Sequence, residues 1–330
     1  MRGLVTVFGG SGFVGGQIVR ALAKQGWRIR VAVRRPWQAY RLRVLGDVGQ
    51  IEIVQANVRV AETVDRALEG ADAAVYAVGT AFESGPQTFA ALGADGPKAV
   101  ADAAAARGIS QFVFISGIGA DAEAPSKAAR AKAAGEAAVR AAMPGAVILR
   151  PSVVFGAEDQ FFNRLTSMAV MSPAMPLFGG GNTRIQPVFV ADVARAAAAA
   201  LATAAAGKTY ELGGPSVYTL KELVELVLAE IGRPRPLIPL PWGLVGLIGA
   251  VGDVGAALKA IVPLLAAPPL TSDQAALLKA DNVASPDLPG LADLGVTPQA
   301  LEPILPTYLY RYRKGGQYAD LEPPPEPSRA

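Results

Sequence analysis

The chain has 330 residues, 51% of them hydrophobic, and its 31 basic and 28 acidic side chains leave a net charge of +3. This length and composition support a large core in one domain or two closely joined domains, and the even charge balance predicts no nucleic-acid partner. The chain has neither Cys nor His, which excludes disulfides, cysteine nucleophiles and Ser-His-Asp catalysis, and we expect no metal site.

A glycine-rich turn stands near the start of the chain, between the apolar run 4–8 and a segment with apolar residues at helical spacing. This pattern predicts a strand, a tight turn and a helix. Gly12 would let the backbone approach a pyrophosphate, Gly15 would let the helix pack closely on the sheet, and the helix N-terminus would face the phosphates. The turn therefore predicts dinucleotide binding through Gly9, Gly10, Ser11, Gly12, Phe13 and Val14.

The second predicted strand, 28–33, ends in Arg34, Arg35 and Pro36. In a dinucleotide-binding fold this strand end meets the adenosine ribose. An acidic residue there would favour NAD, whereas arginines would pair with a 2′-phosphate through their planar donors. The sequence thus favours NADPH over NAD, with two solvated surface arginines as the alternative.

Short apolar strands alternate with helices over the first 150 residues, which predicts an α/β fold with a Rossmann-type, doubly wound parallel sheet. We expect this dinucleotide-binding domain to cover residues 1–155. A smaller mixed C-terminal domain would follow over 156–319, with part of it returning to the first domain, and 320–330 would form a disordered tail. Further strands are predicted at 51–55, 73–78, 112–115 and 147–151, and helices at 60–68, 87–107 and 126–142.

Additional cofactor contacts are predicted where the later strands end. Asn57 would bond the edge of the adenine or simply form a turn, and Gly79 would pass beneath the cofactor. The predicted contacts beyond the glycine turn and the two arginines are Asn57, Val58, Val78, Gly79, Ser116, Lys132 and Pro151.

The stretch from Ser116 to Lys132 resembles the short-chain dehydrogenase/reductase superfamily in its extended or atypical branch. The resemblance implies a Ser that polarises the substrate oxygen, a Tyr that acts as general acid/base, and a Lys that holds the nicotinamide ribose. Ser116 and Lys132 match the Ser and Lys, but Ala128 stands at the Tyr position. Hydride transfer to a carbonyl needs a proton donor, so we expect no catalytic residue here and interpret Ser116 and Lys132 as remnants.

Simpler interpretations stay open at the same positions. Ser116 would only end its strand, and Lys132 would be a solvated helix residue. If the protein is an enzyme after all, Tyr76 and Tyr218 are the candidate proton donors.

The second half contains Glu-Asp-Gln-Phe-Phe-Asn-Arg at 158–164 and Gly-Gly-Gly-Asn-Thr-Arg-Ile-Gln-Pro-Val at 179–188. With these segments nearly the whole chain resembles the NADPH-binding accessory subunits of respiratory complex I, the alpha-subcomplex subunit 9 family, in a bacterial form. The resemblance implies a tightly bound structural NADPH and partners at the junction of the peripheral and membrane arms. The alternatives are an atypical reductase or epimerase acting on a quinone precursor or a sugar nucleotide, and a nucleotide sensor.

Segment 236–267 is strongly apolar but broken by prolines, which favours a core helix or a helix on the membrane surface over a spanning helix. Aromatic and basic residues at 303–318 suggest a partner or membrane contact, or a solvated helix face. We expect no signal peptide or transmembrane helix, and a peripheral location on the cytoplasmic face of the bacterial inner membrane.

Three local roles complete the predictions. Arg184 and Gln186 would lie near the nucleotide or the cleft, Asp192 would cap a helix from 193 to 205, and Thr219 with Glu222 would form a capping box.

Overall fold

The structure, a computed structural model, describes residues 2–202, 207–261 and 270–318. Its strands are β1 (Arg2–Phe8), β2 (Trp27–Val33), β3 (Ile51–Gln55), β4 (Ala73–Tyr76), β5 (Gln111–Ile115), β6 (Val147–Pro151), β7 (Val154–Phe155), β8 (Met175–Phe178), β9 (Arg184–Ile185), β10 (Val188–Phe189), β11 (Thr209–Leu212), β12 (Tyr218–Thr219) and β13 (Leu237–Leu240). Its α-helices are α1 (Phe13–Lys24), α2 (Ala61–Leu68), α3 (Gly96–Ala106), α4 (Lys127–Ala142), α5 (Phe162–Met171), α6 (Val190–Ala202), α7 (Leu220–Glu230), α8 (Trp242–Ile261), α9 (Ser272–Leu277) and α10 (Pro306–Leu309).

A seven-stranded sheet in the order β11-β6-β5-β4-β1-β2-β3 forms the centre of the molecule. Every neighbouring pair in it is parallel, which confirms the predicted doubly wound sheet. The strand order reverses between β1 and β4, and ligands of such sheets bind outside the carboxyl ends of the strands at this reversal. The glycine-rich turn directly follows β1 and therefore opens onto that crevice.

Helices cover both faces of the sheet, and each face has its own apolar core. Ile18 and Leu22 of α1 pack with Val193 and Ala197 of α6 on one face, as expected for a helix made almost entirely of small apolar residues. The other face is covered by α2, α3 and α4. Because the strands are buried from both sides, they appear in the sequence as nearly continuous apolar runs. The predicted end of the α6 helix, 203–205, lies outside the described residues.

A third apolar core lies in the second half of the chain and joins α5, β8, α7 and the segment 301–309. Asp159 is buried at its centre, where Oδ2 accepts a hydrogen bond of 2.6 Å from the Tyr308 hydroxyl and Oδ1 accepts the N–H of Phe162 at the start of α5. Burial raises the pKa of Asp159, and these hydrogen bonds oppose the shift. β11 and α6 return from this half to the central sheet and its covering layer.

One of the predicted local roles is wrong and one is confirmed. Arg184 pairs with Asp281, and Gln186 bonds Gly214 and Ala284. Both side chains join chain segments, their neighbours Thr183 and Ile185 line the larger cavity described below, and their place near a nucleotide stays a prediction. Asp192 lies inside the first turn of α6, where its buried carboxylate accepts the N–H of Gln299, and it is not the N-cap. Thr219 and Glu222 do form the capping box of α7.

The segment 303–318 serves mainly to attach the end of the described chain to the third core. Leu305, Tyr308 and Leu309 are buried in it. Arg313 pairs with Glu230, and Tyr312 donates a hydrogen bond to Asn163. Most of the aromatic and basic side chains for which we predicted an external contact are thus used internally. The predicted tail, 320–330, lies outside the described residues.

Helix α8 has one packed face and one exposed apolar face, so the interpretation as a fully buried core helix is wrong. On the packed face, a Cβ added at Gly252 would lie 1.7 Å from the Leu270 carbonyl oxygen, which shows how closely the two backbones approach. On the opposite face five large apolar side chains are 43–68% exposed: Leu244, Leu247, Val251, Val254 and Leu258. Within the described ranges, we find no helix with both the length and the hydrophobicity that a bilayer span requires. Residues 262–267 of the predicted apolar segment lie outside those ranges.

Candidate nucleotide site and adjoining cavity

The glycine-rich turn has the geometry that close backbone contact demands. Gly9 has φ of +80°, which other residues rarely adopt. A Cβ at Gly15 would lie 2.2 Å from the Gly9 carbonyl oxygen, so a side chain there would separate α1 from the end of β1. Gly12 is the N-cap of α1, and no side chain caps this helix. The uncapped N–H groups and the helix dipole therefore suit a phosphate.

Three exposed arginines, Arg34, Arg35 and Arg59, lie near enough to one another beyond the end of β2 for their charges to interact. Burial lowers the pKa of Arg34, and the positive charges of Arg35 and Arg59 lower it further. Like charges repel unless an anion lies among them, and a 2′-phosphate is an anion of the kind that arginines bind. Arg59 was missed by the sequence analysis because it comes from the loop after β3, which the sheet brings beside the end of β2.

A surface ion pair crosses the outer side of the glycine-rich turn. The two terminal nitrogens of the Arg41 guanidinium donate hydrogen bonds to the Glu158 carboxylate, Nη1 at 2.9 Å and Nη2 at 3.3 Å. Nη2 also contacts the Ser11 carbonyl oxygen at 3.5 Å. This pair joins the first half of the chain to the 158–164 segment. Neither residue was predicted to contact the site, since they lie 117 positions apart in the sequence.

The structure supports the simpler of the two interpretations of Asn57. Its Oδ1 accepts the Arg59 N–H at 3.2 Å, and its backbone bonds the Thr63 hydroxyl, so the side chain stabilises a turn before α2. The Val58 side chain is buried in the core between the sheet and α2. The predicted cofactor contacts of Asn57 and Val58 stay predictions. A contact with the adenine would come from the backbone or from the Asn57 amide nitrogen.

A cavity of about 230 Å³ continues from the glycine-rich turn toward β5 and α4. It brings together residues that lie far apart in the sequence and that were predicted as cofactor contacts, and it includes the position that lacks the tyrosine. The predicted residues among its lining are Val14, Val78, Gly79, Ser116 and Lys132, with Ala128 beside them. The side chain of Ala128 thus leaves open a space that a tyrosine at this position would enter.

The hydroxyl of Ser116 is held by a buried carboxylate. It donates a hydrogen bond of 2.6 Å to Oε1 of the buried Glu136, whose two carboxylate oxygens also accept bonds of 2.8 and 2.7 Å from Arg150. Arg150 in turn reaches Glu211 at 3.4 Å. The Glu136 hydrogen bond raises the pKa of Arg150. This paired network uses the serine hydroxyl as a donor to a buried carboxylate, and the predicted cofactor contact of Ser116 stays a prediction.

Lys132 projects into the groove from α4 and is half-buried. A Cβ added at Gly117 would lie 2.4 Å from its Nζ, so the ammonium group sits directly against the backbone after β5. Burial lowers the pKa of Lys132, and Glu136 and Asp273 partly offset the shift. A desolvated lysine in a cleft is more typical of a ligand-binding group than of a solvated helix residue.

Neither tyrosine proposed as a substitute acid faces the groove. Tyr76 is fully buried, and its hydroxyl donates a hydrogen bond of 2.6 Å to the Leu92 carbonyl oxygen; burial raises its pKa. Tyr218 donates to Glu302 and is absent from the lining of both cavities. Leu92 lies in a π-helical turn at Ala91–Asp95, which replaces the start of the long helix predicted from residue 87.

A second cavity of about 380 Å³ adjoins the groove and shares Lys132 with it. Gly117 and Pro151 lie in its wall on the sheet side, and Phe161, at the N-cap of α5, lies on the other side with Leu165 and Met168 of the helix. Its wall is mostly apolar, and this volume falls in the range of small-molecule sites. It occupies the place where a substrate would meet the nicotinamide in a protein of this fold.

Residues 5–213 match the family model for the NAD dependent epimerase/dehydratase family. The chain belongs to this family. The seven-stranded parallel sheet and the glycine-rich turn are the features of its nucleotide-binding fold. An NADPH-dependent quinone oxidoreductase from Escherichia coli, solved with NADPH, has the same fold, with a TM-score of 0.69, 21% identity and coverage of 91% of this chain and 97% of that one.

Relatives in the curated proteins are more specific. The chain is 33% identical over 319 residues to the mitochondrial NADH dehydrogenase [ubiquinone] 1 alpha subcomplex subunit 9 of Arabidopsis thaliana, covering 95% of this chain and 79% of that protein. This confirms the resemblance to the alpha-subcomplex subunit 9 family. It is also 35% identical over 193 residues to a protein named ceramide reductase from Caulobacter vibrioides, covering 58% of this chain and 59% of that protein.

Proposed function

We propose that the protein is an accessory subunit of complex I that binds NADPH and does not turn it over. The observation that carries the proposal is the contrast within one groove. The phosphate-binding turn and the arginines keep the features that a nucleotide needs. The position of the proton donor is Ala128, and the Ser116 hydroxyl is bonded to Glu136.

The residues present fit the phosphates, the 2′-phosphate and the ribose of NADPH. A Cβ would fill the space at Gly15, the first turn of α1 lacks a side-chain cap, and Arg34 stands with two other arginines. Lys132 would bond the nicotinamide ribose. Bound NADPH carries a hydride, but the described lining offers no tyrosine, and the chain no histidine, to pair a proton with it. Its role here is to stabilise the fold through ligand binding.

The partners are proposed from the names of the relatives and from the exposed face of α8. Five large apolar side chains are exposed on one face of this helix, and a contiguous exposed apolar patch of this kind is typical of a protein or membrane contact. We propose that this face, 244–258, contacts the membrane arm of complex I and the adjoining bilayer surface. The protein would then be peripheral on the cytoplasmic face of the bacterial inner membrane, near the junction of the two arms.

The nucleotide part of the proposal is tested by purifying the protein without added nucleotide and analysing the supernatant after denaturation. We expect about one NADP(H) per chain, and no steady oxidation of added NADPH with a panel of carbonyl compounds and quinones. Sustained turnover with any of them would overturn the non-catalytic role and leave the nucleotide site standing.

The partner part is tested in the native host by gentle detergent extraction of the membranes and separation of the large complexes by size. We expect the protein to comigrate with complex I subunits, and the double variant Leu247→Ser, Val251→Ser to be lost from that fraction. Val48→Ser, which changes a fully exposed apolar residue on the other domain, is the matched control. A free soluble peak for the unchanged protein would contradict the accessory role.

A reductase acting on an apolar carbonyl compound is the second candidate, favoured by the apolar cavity and by the relative named ceramide reductase. A sugar nucleotide suits this cavity less well. The side chains of Ser152, Thr183, Gln274 and Asn282 in its wall already bond protein groups, which leaves few partners for sugar hydroxyls.

A further inference from the structure

We propose that the 380 Å³ cavity binds a single-chain anionic amphiphile, a long-chain carboxylate, with its hydrocarbon chain along α5 and its carboxylate near Arg164. This inference goes beyond the proposed function, because the cavity and the nucleotide groove share only Lys132 among the residues that line them.

The wall of the cavity has the composition that a hydrocarbon chain requires. Leu165 and Met168 of α5 and the N-cap residue Phe161 line it on one side. The apolar surface is completed by Phe178, Leu277 and Leu278. Most of the polar side chains in the wall bond protein groups, as described above. A hydrocarbon chain gains about 0.8 kcal/mol for each methylene that it buries in such a place.

The charged groups in the wall have one sign. Arg164 and Lys132 line the cavity, and the described lining contains no Asp or Glu. Both side chains are half-buried, and burial lowers the pKa of both groups. Glu136 and Asp273 act on Lys132 from outside the lining. Lys132 would bond the ribose when a nucleotide is present, so Arg164 is the cation that the carboxylate would meet.

The cavity lies on the packed side of α8, the helix whose opposite face is apolar and exposed, and this neighbourhood points to the source of the ligand. The packed face of α8 contributes Val245 to a small core with Leu270, and Phe178 and Leu278 of the cavity wall pack against that core. Leu277 lines the cavity and is still 43% exposed at the surface. A ligand held in a membrane surface against the exposed face of α8 would therefore be separated from the apolar cavity by this helix and its small core.

The test uses the full-length protein, freed of lipid, in calorimetric titrations with three probes that share one chain and differ in the head group: dodecanoate, dodecanol and dodecyltrimethylammonium. We expect dodecanoate to bind at least about tenfold more tightly than dodecanol, and the cation to bind least. Equal binding of the three probes would overturn the proposal, since the positive charges would then play no part.

Variants locate the ligand. Arg164→Gln should reduce dodecanoate to the affinity of dodecanol, while Arg20→Gln, on the exposed side of α1, should change neither. Met168→Trp should weaken both probes because it fills the cavity, and it keeps the proposal testable if Arg164→Gln fails to fold. Leu247→Ser should leave both unchanged. If Leu247→Ser weakens binding and Met168→Trp does not, the chain lies on α8 and the proposal is wrong.

The titrations are run without nucleotide and repeated with saturating NADPH. Dodecanoate should bind in both conditions. Failure to bind NADPH would overturn the proposed function and leave this result intact, and failure to bind dodecanoate would do the reverse.

Discussion

The phosphate end and the hydride-transfer end of the nucleotide groove differ in how well their residues suit the chemistry of a reductase. At the phosphate end, Gly9 has a positive φ and Gly15 leaves no room for a side chain. At the other end, Ala128 leaves a space beside Lys132, and Ser116 bonds a buried glutamate. The same sheet positions both ends, so the difference lies in the side chains. On the proposed function, binding and catalysis are separated within one site.

The strongest test of the phosphate end compares two adjacent glycines of α1. Gly15→Ala would place a Cβ 2.2 Å from the Gly9 carbonyl oxygen, so we expect it to cost about 3 kcal/mol of the free energy of unfolding and to abolish nucleotide binding. Gly16→Ala is the control, since its Cβ would meet its nearest atom at 3.6 Å, and it should gain up to about 1 kcal/mol. Chemical denaturation and NADPH titration measure both. Equal behaviour of the two variants would contradict the geometry of the turn.

The next test concerns the choice of NADPH. Arg34→Asp should weaken NADPH by about 10- to 100-fold, the value of a charged hydrogen bond, and should change NADH much less. Arg59→Gln should act in the same direction with a smaller effect, because the charge of Arg59 acts on Arg34 more weakly than that of Arg35. Arg28→Asp, an exposed change in the first half of β2, is the control. Equal losses for both nucleotides would remove Arg34 from the 2′-phosphate site.

Some features of the fold and of the site could be predicted from the sequence, and others could not. The strands and the glycine-rich turn follow from local patterns, because periodicity and glycine spacing are local properties. The Ala128 substitution was identified through the resemblance to the short-chain dehydrogenase/reductase superfamily. The partner of Ser116 does not follow, since Glu136 stands 20 positions away and pairs with Arg150 only after β6 joins the sheet. Arg59 and Arg41 were missed for the same reason.

Helix α8 shows a different limit. Its sequence is apolar nearly all round, so hydrophobicity alone could not say which face is packed. The signal that was available is the spacing of Gly249 and Gly252, which lie against the backbone at 270–272. Small residues three positions apart mark the face that another segment approaches, and the large side chains at 247, 251 and 254 then mark the exposed face.

Lys132 connects the two ends, and its replacement tests whether it is retained for binding. Lys132→Met should weaken NADPH by about tenfold and slightly raise the melting temperature of the nucleotide-free protein, because burial disfavours the lysine charge. Lys127→Met, exposed at the start of α4, is the control.

The pH dependence of stability gives the same test a second readout. In the folded state the pKa of Lys132 is lowered, so the unfolded chain binds more protons as the pH rises from that value to the usual lysine value. The folded protein therefore gains stability across this window, and Lys132→Met should lose that gain. A lower melting temperature with unchanged NADPH affinity would show that Lys132 only stabilises the fold.

The smallest expected effect comes from restoring the missing tyrosine. Ala128→Tyr would place a phenol in the 230 Å³ cavity, yet we expect NADPH oxidation with simple carbonyl compounds and quinones to stay at the background level. The reason is that a proton donor alone does not rebuild the site while the Ser116 hydroxyl is bonded to Glu136. Ala128→Phe is the matched control for volume. A clear rise in turnover for Ala128→Tyr alone would mean that the hydride-transfer end lacks only one hydroxyl, and the contrast between the two ends would reduce to that single substitution.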